Sequence, residues 1–257
     1  MERQADRLNA IAKYLRIHNG TTIRELSEVL GVSHMTVRRD LDLLEQQGTV
    51  RLFHGGAIYN RSVESQDEEY SVGAAGARNL DKKRLIGRRA ASLVEPGDVI
   101  IIDTGTTTEW IARALPVDIP LTILCYNLNV LREVSKMRNI ELVLAGGNFH
   151  ENTLMFESPE GIEIIRRTRA TKAFLSAAGV HVSLGVTCLN TYESTTKIAV
   201  LRSSLQKILV ADSSKLGQVQ HAYFADIEDF NILVTDPGAD PEQLDAIRRL
   251  GVEVMIA

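Results

Sequence analysis

The spacing of apolar residues changes character along the chain. In the first 50 residues they recur three or four positions apart, the period of a helix with one buried face. Leu8, Ile11, Ala12 and Leu15 predict a helix over 4–18, closed by Asn19-Gly20. Ile23, Leu26, Val29 and Leu30 predict a second helix over 23–30, with Thr21 or Thr22 as its cap. Gly31 allows a tight turn, Ser33 caps a third helix over 34–47, and Gly48 ends it. Val37, Leu41 and Leu44 face inward on that helix. Two short extended stretches around Gly55-Gly56 predict a small hairpin.

Beyond residue 78 the pattern becomes one of continuous apolar runs: 98–102, 121–126, 140–145, 173–177, 208–211, 231–234 and 252–256. Helical segments are expected at 81–94, 109–115, 130–136, 194–205 and 241–250. Apolar strands alternating with helices predict an α/β fold with a mostly parallel sheet covered on both faces. Between the two patterns lies a polar stretch, Arg61-Ser-Val-Glu-Ser-Gln-Asp-Glu-Glu, followed by Gly73-Ala-Ala-Gly76. The expected organisation is a small helical domain over 1–59, a linker over 60–77 and an α/β domain over 78–257.

Composition removes several classes. With 257 residues, 44% hydrophobic and 24% charged, the chain has enough apolar material to bury a core. The apolar runs fall far short of the ~20 residues that span a bilayer, so no membrane partner is expected. The start, Met1-Glu-Arg-Gln-Ala-Asp-Arg, carries no apolar signal segment. Cys125 and Cys188 are too few for a disulfide framework or a Cys-rich zinc site, and each sits in an apolar stretch. Buried free thiols and a cytoplasmic location are expected. His150, His181 and His221 show no metal-ligand spacing, so neither a metal nor a cofactor is expected.

The net charge of −4 hides an asymmetry. Residues 1–61 hold nine Lys/Arg against seven Asp/Glu, a net of +2, and the remainder is −6. A small basic module on a larger acidic body is the pattern of a nucleic-acid reader. Residues 21–47 have the helix-turn-helix order in which the second helix enters the major groove. Its outward candidates are Ser33, His34, Thr36, Arg38 and Arg39, with Met35 beside them. Guanidinium forks suit guanine or phosphate, and hydroxyls suit phosphate or base edges. The hairpin, with Arg51 and His54, would form a wing beside that helix. The alternative is an ordinary helical hairpin with a solvated charged face.

The α/β domain offers a candidate small-molecule site. Asp103-Thr104-Gly105-Thr106-Thr107-Thr108 lies between a strand and a helix, where backbone N–H groups and hydroxyls suit a phosphate. It is neither a Walker motif nor a dinucleotide fingerprint, and a plain capped turn is the alternative. Asn127, Gly146-Gly147, Asp212 and Lys215 also fall at strand ends, where ligands of open parallel sheets collect. Glu193 and Lys197 share a helix face, and spacing alone reads them as a surface ion pair. The basic run Lys82–Arg89 reads as the solvated face of a packed helix, with Lys83 the member nearest a ligand.

Val32-Ser33, Met35-Thr36-Val37-Arg38-Arg39-Asp40-Leu41 and Leu52-Phe-His-Gly-Gly-Ala57 closely resemble the recognition helix and wing of the DeoR family of bacterial repressors. The resemblance continues through Asp103–Thr107, Asn127, Gly146-Gly147, Glu193, Lys197 and Asp212–Lys215. It implies a winged helix-turn-helix on operator DNA. It also implies a sensor domain similar to ribose-5-phosphate isomerase that binds a phosphorylated sugar. Gly105–Thr107 would hold phosphate, Lys197 and Lys215 would meet negative charge or sugar oxygens, and Asp103 and Glu193 would accept hydroxyls. Two positions depart from the family pattern: Tyr126 stands where Thr is common and Ala178 where Asp is common. The lost acceptor at 178 points to a deoxy sugar phosphate, deoxyribose 5-phosphate. The expectation is a non-enzymatic repressor, at least dimeric on paired half-sites. The alternatives are a regulator of another sugar pathway and a sugar-phosphate isomerase.

Overall fold

The structure, a computed structural model, describes residues 2–53, 55–60 and 72–257. Its first helices are α1 (Glu2–His18), α2 (Ile23–Leu30) and α3 (His34–Gln46). Local chemistry sets their ends. Glu25 N donates to Thr22 Oγ1 at 3.0 Å while Thr22 N donates to Glu25 Oε2 at 2.9 Å, so two orphan amides are satisfied reciprocally. Gly31 closes α2 at φ 63°, where a side chain would be strained. Ser33 then accepts from Thr36 N at 3.2 Å to open α3. Ile11, Leu15, Leu26, Val37, Leu41 and Leu44 share one core with Val50 and Ala57. Arg7 grips the buried Asp40 with two nitrogens, tying α1 to α3.

Strands β1 (Gly20–Thr22), β2 (Val50–Phe53) and β3 (Gly56–Tyr59) form an antiparallel sheet in the order β1-β3-β2. The expected hairpin is β2–β3, and β1 is an addition that the sequence pattern did not signal. Leu52 N donates to Glu45 Oε1 at 2.9 Å, which fixes the hairpin against α3. His54 and residues 61–71 of the expected linker lie outside the described residues. The end of that linker is not extended: it holds α4 (Val72–Ala77).

The α/β part runs α5 (Leu80–Ala91), β4 (Val99–Ile102), α6 (Thr108–Ala114), β5 (Leu121–Cys125), α7 (Leu128–Val134) and β6 (Ile140–Leu144). It continues with β7 (Asn148–His150), β8 (Met155–Glu157), α8 (Pro159–Arg167), β9 (Ala170–Ser176), β10 (Gly179–His181) and β11 (Gly185–Cys188). It ends with α9 (Thr191–Ser203), β12 (Ser204–Val210), β13 (Ala222–Ala225), β14 (Ile232–Thr235), α10 (Pro241–Arg249) and β15 (Glu253–Ile256).

Seven strands form one parallel sheet in the order β15-β14-β12-β9-β4-β5-β6. Successive strand residues point to opposite faces. Ile100 and Ile102 therefore pack with Ile86, Ile111 and Val130 of α5, α6 and α7. Ile101 packs in the other layer, with Ile162, Val200 and Leu244 of α8, α9 and α10. The predicted parallel, doubly covered sheet is present. The β7–β8 hairpin, α8 and an antiparallel sheet β10-β11-β13 are additions to it. From β4 the chain first moves outward to β5 and β6, then returns to β9 on the other edge of β4. That reversal opens a crevice beyond the ends of β4 and β9.

Candidate functional site

In the N-terminal helical unit, α3 presents Ser33, His34, Met35, Arg38 and Arg39 to solvent, with Thr36 half-buried. Met35 is 60% exposed, an apolar side chain of the kind that contacts a thymine methyl. Ser33 and Thr36 hydroxyls lie 3.0 Å apart, so part of their polar capacity is spent on the cap. Arg51 lies elsewhere: it lines a cavity shared with the α/β part.

That cavity occupies the crevice, with a volume of about 1010 Å³. Thr104, Gly105, Thr106 and Thr107 form its wall after β4, and Ala177 and Ala178 after β9. Asp212 and Lys215 follow β12, while Lys83 comes from α5 and Glu193 and Lys197 from α9. Gly105 has φ 150°, and a Cβ there would lie 2.7 Å from Ser176 Oγ. Its carbonyl accepts from Thr108 Oγ1 and Asn129 Nδ2, both at 3.0 Å, which pins the loop. The N–H groups of Gly105, Thr106 and Thr107 donate to no acceptor among the described residues. Three spare donors in a cavity wall are an anion-binding feature.

The charged residues divide into two groups. Lys83 is 4% exposed and its Nζ donates to the Ala75 carbonyl at 2.6 Å. Burial lowers its pKa and Asp212 opposes that. Lys83 and Lys215 outnumber Asp212, whose Oδ1 is engaged by Asn79 Nδ2 at 3.1 Å and Ser214 N at 3.0 Å. On the other side Lys197 is paired with Asp103 and also donates to the Ser176 carbonyl at 3.1 Å. Burial alone would lower the Lys197 pKa, but Asp103 and Glu193 outweigh it and hold the pKa up. Glu193 is 7% exposed, and burial raises its pKa against the pull of Lys197. Its Oε1 accepts from Asn190 N at 3.2 Å and Asn190 Nδ2 at 2.7 Å.

Of the residues predicted from sequence, Asp103, Asn127, Gly146 and Gly147 do not reach the wall. Asp103 is 0% exposed and takes donors from Tyr126, Ser176 and Lys197, so it has no free edge for a sugar hydroxyl. It holds the loop from behind. Glu193 and Lys197, expected at the surface from spacing alone, are buried. Asn127 caps α7 by accepting from Val130 N at 3.0 Å. Gly146 accepts from Ser158 Oγ at 3.0 Å, and Gly147 packs against Glu157 and Ser158. These groups follow β5 and β6, on the side of β4 away from the reversal. The sequence reading names Lys83 as the member of the basic run nearest a ligand, and the structure buries it in the cavity wall, where the run alone suggests a solvated face. Cys188 also lines the cavity, but burial pushes its thiol up to about 12, so it stays protonated near neutral pH. Among the described residues no cluster of His, Cys, Asp or Glu is suited to a metal, and no helix is long and apolar enough to cross a membrane.

Residues 7–63 match the DeoR-like helix-turn-helix domain, and residues 78–237 match the DeoR C terminal sensor domain. The chain belongs to the DeoR family. Its relatives include the uncharacterized HTH-type transcriptional regulator YulB of Bacillus subtilis, 32% identical over 97% of this chain and 95% of its own. The deoxyribose operon repressor of Escherichia coli K12 is 33% identical over 91% of both chains. Ribose 5-phosphate isomerase A of Methanocaldococcus jannaschii aligns over 54% of this chain and 55% of its own, at 19% identity and TM-score 0.39. This DeoR-family chain is a transcriptional regulator, with a helix-turn-helix domain for DNA and a sensor domain that contributes most of the cavity.

Proposed function

We propose that this DeoR-family regulator represses a sugar or deoxyribonucleoside catabolic operon and leaves its operator when a phosphorylated sugar fills the cavity. The observation that carries this is the set of spare N–H donors at Gly105–Thr107, in the same cavity as the cations Lys83 and Lys215. Charge-assisted hydrogen bonds from such a set are what an anionic phosphate needs. The opposite wall holds Glu193 and Lys197, and Lys197 is neutralised by Asp103 behind it, so this wall suits hydroxyl donors rather than a second phosphate. The sugar therefore lies with its phosphate at the loop and its hydroxyls toward Glu193.

Deoxyribose 5-phosphate is the effector this reading favours. Ala178 lines the cavity without a carboxylate, so an additional sugar hydroxyl would go without that partner. The deoxyribose operon repressor among the relatives supports the same class. On DNA, α3 enters the major groove, with Arg38 and Arg39 on base edges and phosphates. A dimer matches paired half-sites. The test is operator binding titrated with a panel of sugar phosphates. Release by deoxyribose 5-phosphate ahead of ribose 5-phosphate supports the reading. Release by no sugar phosphate overturns it. A turnover assay with pentose phosphates separates it from an isomerase.

A further inference from the structure

The cavity is not closed by the sensor domain alone. Asn19 from the α1–β1 turn, Arg51 from β2 and Tyr59 from β3 complete its wall. Two of these carry unused polar capacity. Arg51 makes no ion pair or side-chain hydrogen bond among the described residues, although a guanidinium offers five donors. Asn19 is 4% exposed; its Nδ2 donates to the Val219 carbonyl, while its Oδ1 has no partner. A buried acceptor left unpaired is costly, and few persist without a reason.

The junction around Asn19 is close-fitting. Gly20 sits so near Val219 that a Cβ would lie 2.9 Å from the Val219 Cβ. Gln218 Nε2 donates to the Ile17 carbonyl at 3.4 Å, and Ser183 Oγ to Glu25 Oε1 at 3.3 Å. From Val219 the chain turns into the cavity wall at Gln220 and His221. Asn19 is thus held where the sensor domain, the DNA-binding unit and the cavity meet.

We infer that the effector site is composite, with the sugar end of a bound sugar phosphate held by Arg51 and Asn19 of the DNA-binding unit. This rests on the reading of the cavity as a sugar-phosphate site. The phosphate occupies the Thr104–Thr107 loop. Arg51 donates to an oxygen at the far end of the sugar. Asn19 turns its amide slightly toward the cavity, and Oδ1 accepts a hydroxyl. Arg51 passes from the DNA contacts expected of a wing residue to the effector. The ligand class narrows to phosphorylated sugars with oxygens remote from the phosphate. Inorganic phosphate fills the loop and touches neither residue.

The test is calorimetric titration of the full chain with triose, pentose and hexose monophosphates, deoxyribose 5-phosphate among them, and with inorganic phosphate. The proteins are wild type, Arg51→Gln, Asn19→Gly and Thr106→Asp; glycine keeps the φ of 63° at position 19. Arg51→Gln is expected to weaken the best sugar phosphate about tenfold, the worth of one hydrogen bond to a charged group, and Asn19→Gly about fivefold, the worth of a neutral one. They leave inorganic phosphate binding unchanged, whereas Thr106→Asp removes both. If Thr106→Asp abolishes binding and Arg51→Gln binds the sugar phosphate as wild type does, the composite site is wrong and the sensor reading stands. Equal weakening of sugar phosphate and inorganic phosphate by Arg51→Gln also overturns it, since that is a general charge effect. If no sugar phosphate binds, or Thr106→Asp changes nothing, both readings fall. Arg51 is exposed, so its variant folds and decides the question even if Asn19→Gly melts early.

Discussion

Lys197 and Asp103 form an ion pair with both side chains out of water, at 1% and 0% exposure. The pair links α9 to the end of β4, directly behind the Thr104–Thr107 loop. A buried pair gains little over an apolar one, but removing one partner strands the other charge. Lys197→Met is therefore expected to lower the unfolding free energy by about 3–5 kcal/mol. Denaturant unfolding measures it, and a midpoint equal to wild type would show that the pair does not hold the loop.

The exposed guanidinium groups of α3 are expected to carry operator affinity. Arg38→Ala or Arg39→Ala should cost roughly 1–3 kcal/mol where the guanidinium grips a base with two hydrogen bonds. Binding should also fall steeply with salt, because phosphate contacts release counterions. Wild-type affinity in both variants, measured on operator DNA by anisotropy, would take α3 out of the groove.

The loop and position 178 can be separated by two substitutions. Thr106→Asp puts negative charge against the proposed phosphate and is expected to abolish the effector response while operator binding persists. Ala178→Asp restores an acceptor and is expected to shift preference toward ribose 5-phosphate by roughly 1–3 kcal/mol. Effector titrations of the DNA complex measure both. A panel preference unmoved by Ala178→Asp would mean that this position does not read the sugar.

Glu193 gives stability a pH dependence of defined sign. Burial raises its folded pKa, so the native state holds the proton more tightly than the unfolded chain does. Its contribution is most favourable in acid and declines as pH rises from the ordinary carboxylate value, about 4.3, through the raised folded value. Glu193→Gln should flatten the stability profile in that window. Unfolding free energies taken at a series of pH values test this. Parallel wild-type and variant profiles would place the ionisation penalty elsewhere.

The sheet was legible because Val99–Ile102 and its counterparts are unbroken apolar runs between helical periods, and few other folds use that pattern. Helix α8 was missed although Ser158, Pro159 and the Ile162–Ile165 spacing are a cap, a first-turn proline and a buried face. The antiparallel sheet β10-β11-β13 could not be read, because Thr187 meets Tyr223 only through the tertiary fold. For the site, the rule that ligands gather at strand ends treated all strand ends alike. Asn127 and Gly146-Gly147 obey it in sequence, but β5 and β6 lie outward of β4, so their polar groups cap helices and turns. Only strand order distinguishes them from Asp212 and Lys215, and strand order is not written in any local pattern. Lys197 illustrates another gap, since four-residue spacing shows which residues share a helix face but not that the face is buried.

The pairing of β4 with β9 also sets an order of assembly. Ile101 of β4 lies beside Ala173 of β9, so the middle of the sheet cannot close until most of the chain has left the ribosome. The N-terminal helices complete their own core from residues between Ile11 and Ala57, through contacts close in sequence, which form quickly. Each new molecule thus completes its DNA-reading core before the sheet that carries the cavity can exist. During synthesis the nascent chain passes through an interval in which the helix-turn-helix core is finished and effector control has not yet been built.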